Sequence, residues 1–307
     1  DKAPDLEIEG LNHDTVIRLK QSGNTEELYK YLIITQCNAL GDVLPGIFKK
    51  NNDCNDILFP DFILREGGII HSLVNDIPED NWHNIEIIGW LYQFYIAEKH
   101  DKIINIYKGT VKKDDIPAAT QLFTPDWVVK YIVDNSLGRY WVEKNKESSL
   151  AEKMNFFVTP KNGRISFVDE TTELKNIKVL DPCMGSGHIL VYAFELLMHI
   201  YKERGFGEEE SAKSIVENNL FGLDIDKTAS QLAYFSVMMK ACQYNRCILG
   251  SGITPKVIEI KDSASISDEI IHYASFGNEK AEREFRLLCD TFADAKELGS
   301  IIVMPEI

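Results

Sequence analysis

The sequence predicts an α/β fold, in which a partial parallel sheet follows a mostly α-helical N-terminal domain. Two observations lead to this prediction. In the second half, short apolar stretches rich in β-branched residues alternate with segments of helical periodicity, which is the pattern of βαβ units. The first half shows helical periodicity alone. We therefore divide the chain into a helical domain, residues 1–115, and a sheet-containing domain, residues 116–307, which stops short of a fourth strand.

Two helical patterns define the N-terminal domain. The first begins at Thr25 and is broken between Gly41 and Pro45. The second covers residues 85–99, and a charged, linker-like connection at residues 101–117 follows it. The predicted apolar face of the second helix carries Ile88, Leu91, Tyr92 and Tyr95.

Aromatic residues are concentrated in and near this second helix: Trp82, Trp90, Tyr92, Phe94 and Tyr95. Such rings can stack on nucleic-acid bases. Aromatic residues at helical spacing more often fill a core, however. We therefore predict that these rings pack against neighbouring helices.

In the second half, predicted strands and helices follow each other in regular order. Strands are predicted at residues 177–181, 220–224 and 256–260, with a further candidate strand at 165–168. Helices are predicted at residues 189–201, 208–219, 227–244 and 276–296. The last helix is charged, and its predicted buried stripe is Phe285, Leu288 and Phe292. An earlier helix begins at Thr124-Pro125, where Thr124 is a good N-cap and Pro125 suits the first helical position.

The segment Asp181-Pro182-Cys183-Met184-Gly185-Ser186-Gly187 follows the first core strand and predicts a tight turn. Pro182 ends the strand because it lacks a backbone donor. Gly185 and Gly187 can adopt a positive φ, and they let a ligand approach the backbone closely. A strand that ends in an acidic residue and enters a glycine turn is typical of a cofactor site in open α/β sheets.

The spacing excludes two common cofactor motifs. A P-loop needs Lys and Ser or Thr after its last glycine, whereas His188 and Ile189 follow Gly187. A dinucleotide fingerprint needs a third glycine and an acidic residue about 20 residues further on, and neither is present. The carboxylate of Asp181 instead suits a ligand that carries an amine.

Three segments resemble motifs of the N6-adenine DNA methyltransferases, in the order of that family. Asp181–Gly187 resembles the first S-adenosylmethionine motif, Asp-Pro-x-x-Gly-Ser-Gly. Phe123-Thr124-Pro125 resembles the preceding Phe-Thr-Pro motif, and Phe221–Asp226 resembles the second motif, at the end of strand 2. More narrowly, Trp90–Gln93 together with Ile116–Thr120 resembles the large methyltransferase of BREX phage-defence systems. The resemblance implies a Rossmann-like, S-adenosylmethionine-dependent methyltransferase domain.

The resemblance also implies where the cofactor binds, either as S-adenosylmethionine or as S-adenosylhomocysteine. Asp181 would lie near the methionine ammonium, Asp224 would accept from both ribose hydroxyls, and Ile225 would pack on the adenine. Asp262 would accept from the adenine amine, and the Ser263 amide would meet a ring nitrogen. The predicted set is Phe123, Thr124, Pro125, Asp181, Pro182, Cys183, Gly185, Ser186, Gly187, Asp224, Ile225, Asp262 and Ser263.

Each strand-end aspartate has a simpler alternative role, because such residues are often the N-cap of the next helix. We favour cofactor binding for Asp181, Asp224 and Asp262, and we assign the cap of the following helix to Asp226. No metal site is predicted, since the histidines lack the spacing of metal ligands.

Composition limits the partners of this chain. With 33 basic and 48 acidic residues, the net charge is −15. Neutralised phosphates supply most non-specific DNA affinity, so we expect this acidic chain to bind double-stranded DNA weakly. No apolar run is long enough to span a membrane, and the six cysteines lack paired spacing, as expected for reduced thiols of a cytoplasmic protein. By resemblance, the full-length protein would bind double-stranded DNA and subunits of a defence system.

The catalytic motif of the family, Asn-Pro-Pro-Tyr after strand 4, is absent from the sequence. In the family its Asn and a backbone carbonyl accept from the amine of the flipped adenine. We therefore expect the full-length protein to methylate adenine in a restriction-modification or phage-defence system, and this chain alone to be inactive. Two alternatives stay open: a methyltransferase of protein glutamine, and a regulatory module that binds S-adenosylmethionine without catalysis.

Overall fold

A computed structural model describes most of the chain. The described residues are 10–48, 60–85, 87–106, 111, 115, 119, 124–168, 172–261, 263, 266–295 and 301–305. Within them the protein is mostly helical and contains one small parallel sheet of three strands. The predicted combination of helices with a partial parallel sheet is thus confirmed.

Among the described residues, the regular elements of the N-terminal half are all helices, joined by turns. Its helices are α1 (His13–Gln21), α2 (Thr25–Val43), α3 (Ile69–Asn75) and α4 (Ile87–Ile106), with a 3-10 turn at Glu79–His83. The predicted start of α2 at Thr25 is confirmed, because the side chain of Asn24 accepts from the Glu27 amide and caps the helix.

Helix α4 differs from its prediction in length and in buried face. It continues to Ile106, so residues 101–106 are helical and do not belong to a linker. Its buried residues include Ile87, Ile96 and Ile103, whereas Tyr95, predicted to be buried, is 80% exposed. The apolar spacing alone did not reveal which side of the helix meets the rest of the protein.

The prediction that the aromatic cluster fills a core is wrong for most of its members. Phe94 is 75% exposed, and both Trp82 and Trp90 are also exposed. Tyr92 is partly buried, and its ring stacks on that of Tyr95 with the centroids 6.5 Å apart. Trp90, Phe94 and Tyr95 lie on α4, whereas Trp82 lies in the 3-10 turn that precedes this helix.

The second half alternates strands and helices in the predicted order. Its main elements are α5 (Asp126–Val133), α6 (Arg139–Lys144), β1 (Val179–Asp181), α7 (His188–Glu203), α8 (Glu208–Ser214), β2 (Leu220–Asp224), α9 (Lys227–Tyr244), β3 (Lys256–Glu259), α10 (Asp268–Ala274) and α11 (Glu279–Thr291). Two π-helical turns, Asp134–Gly138 and Ile215–Asn219, follow α5 and α8. Three 3-10 turns lie at Leu150–Lys153, Leu174–Asn176 and Arg246–Ile248.

Two predictions in this half are wrong. Residues 165–168 form no strand, although the Val168 amide donates to the Glu143 carbonyl at 2.9 Å. The predicted helix at 276–296 is shorter, since α11 spans only Glu279–Thr291: Phe276 and Gly277 both adopt a positive φ, and Asn278 caps the helix. Helix α10, which precedes it, was not predicted. The expected buried stripe of α11 is absent too, since the helix contains no buried residue and Phe285 is 38% exposed.

The three strands are parallel and lie in the order β1-β2-β3. Helices α7 and α9 pack on one face, where Gly222 leaves room for the Met184 and Leu190 side chains. On the other face Leu180 and Ile258 are 58% and 57% exposed. Among the described residues, the sheet is therefore well covered on the α7–α9 side only.

The main hydrophobic core also contains residues from the N-terminal half. Leu44, just after α2, is buried in the same cluster as Phe194, Leu197 and Val237. Gly46 lies so close to the Tyr234 ring that a side chain there would meet it at 2.6 Å. The division at residue 115 stays a prediction, but the two halves share packed surface. No helix among the described residues is long and apolar enough to cross a membrane.

A half-buried carboxylate, that of Glu203, connects the end of α7 to the segment after α6. Glu203 accepts hydrogen bonds from Trp141 Nε1 at 2.9 Å, from the Ser148 hydroxyl at 2.8 Å, and from both the amide and the hydroxyl of Ser149 at 3.0 Å. Burial by itself raises the pKa of Glu203, but these donors outweigh it and hold the pKa below its usual value.

We expect Glu203→Gln to lower the free energy of unfolding at neutral pH by about 2 kcal/mol, because hydrogen bonds to a charged acceptor are lost. Since the folded-state pKa is lowered, this contribution is full above the unfolded pKa of about 4.3 and disappears as the pH falls through the folded pKa. Urea unfolding at several pH values measures the difference. The exposed Glu152 provides the control Glu152→Gln, and a gap between the two variants that persists at low pH would contradict the assignment.

Candidate cofactor-binding site

The turns after β1 and β2 meet at one edge of the sheet. In the register of the parallel strands β1 and β2, Asp181 pairs with Gly222, so the carboxyl ends of both strands lie at the same edge of the sheet. The Gly185 amide donates to Asp224 Oδ2 at 2.8 Å, and the Met184 amide donates to the Leu223 carbonyl at 3.0 Å. The glycine turn is thus tied directly to the end of β2.

The carboxylate of Asp224 is held on both oxygens. Besides the bond from Gly185, its Oδ1 accepts from the Asp226 amide at 2.8 Å. An ionised carboxylate offers about four lone-pair positions, so each oxygen keeps capacity for one further donor. Asp224 can therefore both brace the two turns and accept a pair of hydroxyl groups.

Two polar atoms of the glycine turn are buried without a hydrogen-bond partner among the described residues. Asp181 is 7% exposed, and its Oδ1 accepts from the Cys183 amide at 3.1 Å while Oδ2 has no partner. Ser186 is 2% exposed, and its hydroxyl likewise lacks a partner. Native proteins rarely leave such atoms unsatisfied, which makes them candidates for ligand contacts.

The buried position of Asp181 shifts the pKa of its carboxyl group. Burial raises the pKa of its carboxyl group, the hydrogen bond from Cys183 lowers it, and the nearby charge of Asp224 raises it again, with a net upward shift. A bound cation would favour the ionised form and reverse this shift. The site is therefore better suited to an ammonium group than to an anion.

The two glycines of the turn have different surroundings. Gly187 has φ +89°, and a Cβ there would lie 3.0 Å from the Cα of Ala233 in α9. Gly185 has φ +55°, and no atom lies within 4 Å of the position of its missing Cβ. Gly187 is thus required for helix packing, whereas Gly185 faces open space.

The predicted cap role of Asp226 is confirmed. Its Oδ1 accepts from the amides of Thr228 and Ala229, at 2.7 and 3.0 Å, at the start of α9. Its Oδ2 accepts from the hydroxyl of Tyr92 in α4, at 3.0 Å. Ile225, between the two acids, is half-buried.

The predicted N-cap of α5 lies one residue later than expected. Pro125 occupies the cap position with ψ 145°, the helix begins at Asp126, and no side chain caps it. The helix packs on α7. Burial lowers the pKa of His188, the first residue of α7, and the Asp126 carboxylate opposes this shift, so the α5 start lies near the glycine turn.

The remaining predicted residues are distributed as follows. Thr124 is half-buried, whereas Pro125, Pro182 and Cys183 are exposed. The Ser263 hydroxyl donates to the Cys289 carbonyl of α11 at 3.0 Å, so this side chain has a packing partner. Phe123 and Asp262 lie outside the described residues. The structure thus brings Asp181, Ser186, Gly187 and Asp224 together.

Sequence reasoning missed three residues that contact this site, namely Gly89, Tyr92 and His188. Gly89 and Tyr92 come from α4, far away in sequence. Two signals were available: the isolated Gly89 within a helical pattern, for which a packing reason is common, and the resemblance carried by Trp90–Gln93. Among the described residues, no group of three or more His, Cys, Asp or Glu side chains could hold a metal ion.

Comparison with known proteins finds one matching domain family and two similar proteins. The MmeI DNA-methyltransferase domain matches residues 161–270, which include β1, the glycine turn and β2. The adenine-specific methyltransferase BrxX of Escherichia coli O9:H4 (strain HS) is 39% identical over 321 residues, covering 95% of this chain and 26% of that protein. The adenine-specific methyltransferase PglX of Lacticaseibacillus casei (strain Zhang) is 40% identical over 292 residues, covering 89% of this chain and 24% of that protein.

These matches extend well beyond the methyltransferase motifs, because they cover nearly all of this chain. The chain spans about a quarter of the length of either relative. It is therefore similar to part of the adenine-specific methyltransferases PglX and BrxX, and its residues 161–270 match a DNA-methyltransferase domain.

Proposed function

We propose that this chain forms the cofactor-binding part of a DNA adenine-N6 methyltransferase that uses S-adenosylmethionine. The observation that carries this proposal is the juxtaposition of two strand-end acids, Asp181 and Asp224, across a glycine turn that contains unsatisfied buried atoms. The similarity to BrxX and PglX supports adenine as the acceptor. It favours this function over methylation of protein glutamine and over a purely regulatory role.

The residues present suit each part of the cofactor. Asp181 Oδ2 is a buried acceptor that has no hydrogen-bond partner among the described residues, so an ammonium group could donate to it. Asp224 can accept from two vicinal hydroxyls with its remaining lone pairs. Ile225 supplies an apolar surface for the adenine, and the open space beside Gly185 lets the ligand contact the backbone.

The bound cofactor would supply an electrophilic methyl group, and the chain would contribute orientation. By holding the two ends of the ligand in turns that are hydrogen-bonded to each other, Asp181 and Asp224 would fix the direction in which the methyl group points. Such alignment can account for much of a rate enhancement. The acceptor base would be bound by residues of the Asn-Pro-Pro-Tyr type, which this sequence lacks. By this proposal the chain alone does not methylate DNA.

Calorimetric titration with S-adenosylmethionine tests the cofactor assignment. We expect saturable binding by the wild-type chain and at least roughly tenfold weaker binding by Gly185→Ala, because the added methyl group enters space assigned to the ligand. The positive φ should lower its free energy of unfolding by about 1–2 kcal/mol. The protein should stay folded, since no protein atom lies within 4 Å of the position of the added methyl group.

The matched control is Gly163→Ala, which also has a positive φ and open surroundings but lies in a distant loop. It should bind the cofactor like the wild type. A folded wild-type chain without any S-adenosylmethionine binding would contradict the proposal, and so would equal affinity in Gly185→Ala and wild type.

A further inference from the structure

We propose that helix α4 clamps the two cofactor-binding turns together, and that Tyr92 is a positioning residue for the cofactor. The proposal rests on the cofactor site proposed above. It assigns a role in that site to a helix of the N-terminal half, which carries none of the three methyltransferase motifs. Two residues of α4, Gly89 and Tyr92, carry the argument.

Gly89 brings the backbone of α4 against the glycine turn. A Cβ at this position would lie 2.7 Å from His188 Nε2 and 2.8 Å from Ser186 Oγ. Both distances are shorter than van der Waals contact, so a side chain at this position would have to displace the His188 and Ser186 side chains. Because Ser186 is 2% exposed, it has little room to move away. The first turn of α4 therefore closes over the start of α7.

Tyr92 connects the same helix to the turn after β2. Its hydroxyl donates to Asp226 Oδ2 at 3.0 Å, a hydrogen bond between residues 134 positions apart. Residues three apart lie on the same side of a helix, so Gly89 and Tyr92 contact the two turns from one face of α4. The acceptor is a carboxylate, and such charge-assisted bonds are the stronger kind.

These contacts complete a continuous chain of hydrogen bonds. Tyr92 donates to the side chain of Asp226, the Asp226 amide donates to Asp224, and the Gly185 amide donates to the other oxygen of Asp224. The orientation of Asp224 thus depends on the glycine turn and on the turn after β2, and α4 contacts both of them. Preorganised groups bind a ligand more tightly because less freedom is lost on binding.

Amide hydrogen exchange without ligand tests the clamp directly. In Tyr92→Phe, which keeps the ring and removes only the hydroxyl, we expect the amides of Gly185 and Asp226 to exchange about tenfold faster than in the wild type. Tyr95→Phe is the matched control, because it removes a hydroxyl from the stacked, exposed neighbour on the same helix. Unchanged exchange in Tyr92→Phe, or an equal increase in Tyr95→Phe, would refute the clamp.

Gly89→Ala provides a second test, in which helix propensity and the clamp predict opposite changes in amide exchange rate. Alanine is a better helix former than glycine, so helix propensity alone predicts slower exchange in α4. The clamp predicts faster exchange of Gly185 and Asp226, because the methyl group pushes α4 away from Ser186. Gly207→Ala, at a position with an ordinary φ of −69° and open surroundings, should leave these amides unchanged.

Calorimetry with S-adenosylmethionine then tests the positioning role. Tyr92→Phe should bind about 5- to 10-fold more weakly than Tyr95→Phe, at a similar thermal midpoint without ligand. Faster exchange with unchanged affinity would refute the positioning role but keep the clamp. A wild-type chain that binds no cofactor would refute the proposed function and the positioning role together, while the exchange rates would still decide the clamp.

Discussion

Asp224→Ala is expected to weaken S-adenosylmethionine binding at least roughly 100-fold, the largest effect of any single substitution at this site. The variant removes the acceptor proposed for two ribose hydroxyls, and each hydrogen bond to a charged group contributes about 1.5–3 kcal/mol. It also leaves the Gly185 and Asp226 amides without the acceptor that joins the two turns. Loss of ligand contacts and loss of preorganisation therefore act in the same direction. Calorimetric titration measures the result.

Two further variants separate these causes. Asp224→Asn keeps one carbonyl oxygen and the shape of the side chain, so we expect an intermediate loss of affinity and a smaller change in the thermal midpoint. Glu217→Ala removes an acidic side chain just before β2, at the opposite end of the strand, and should bind like the wild type. Wild-type affinity in a folded Asp224→Ala protein would show that Asp224 only braces the turns.

Gly187→Ala is expected to lower the free energy of unfolding by about 2–5 kcal/mol. A non-glycine residue in the left-handed region costs about 1–2 kcal/mol. The new methyl group would also lie 3.0 Å from the Cα of Ala233, which is backbone that cannot rotate away, and overpacking of this kind costs about 1–3 kcal/mol. Urea unfolding gives the difference.

Gly205→Ala is the matched control, because Gly205 has φ +81° but no atom within 4 Å of the position that its methyl group would occupy. Its free energy of unfolding should fall only by the cost of the left-handed backbone conformation, about 1–2 kcal/mol. The difference between the two variants then reports the packing of α7 against α9. Equal destabilisation of both would mean that the close contact with Ala233 contributes nothing.

The elements around the site were predictable because their signals are local. Strand β2 and helix α9 have the predicted bounds, since an apolar run, an acidic turn and the cap by Asp226 lie within a few residues of one another. The glycine turn was predictable for the same reason. The parallel arrangement followed from strands that alternate with helices, because that order requires crossover connections.

The surfaces of the helices were less predictable. Periodicity shows that α4 has apolar residues at helical spacing, but it does not say which neighbouring segment is available to cover them. Tyr95 is therefore exposed although the periodicity predicts a buried face there, and the same applies to Phe285 in α11. Both helices carry apolar residues on more than one side, so burial was decided by what lies next to them.

The sequence by itself indicated the resemblance to adenine methyltransferases, the order of the three core strands, and the glycine turn with its acids. Only the tertiary structure decided how the acids are held: Asp224 by the Gly185 and Asp226 amides, and Asp226 by Tyr92. The physical reason is the separation along the sequence between the residues that interact. A turn, a cap or a strand follows from neighbouring residues, whereas a hydrogen bond between residues 134 positions apart forms only after packing brings α4 to the sheet edge.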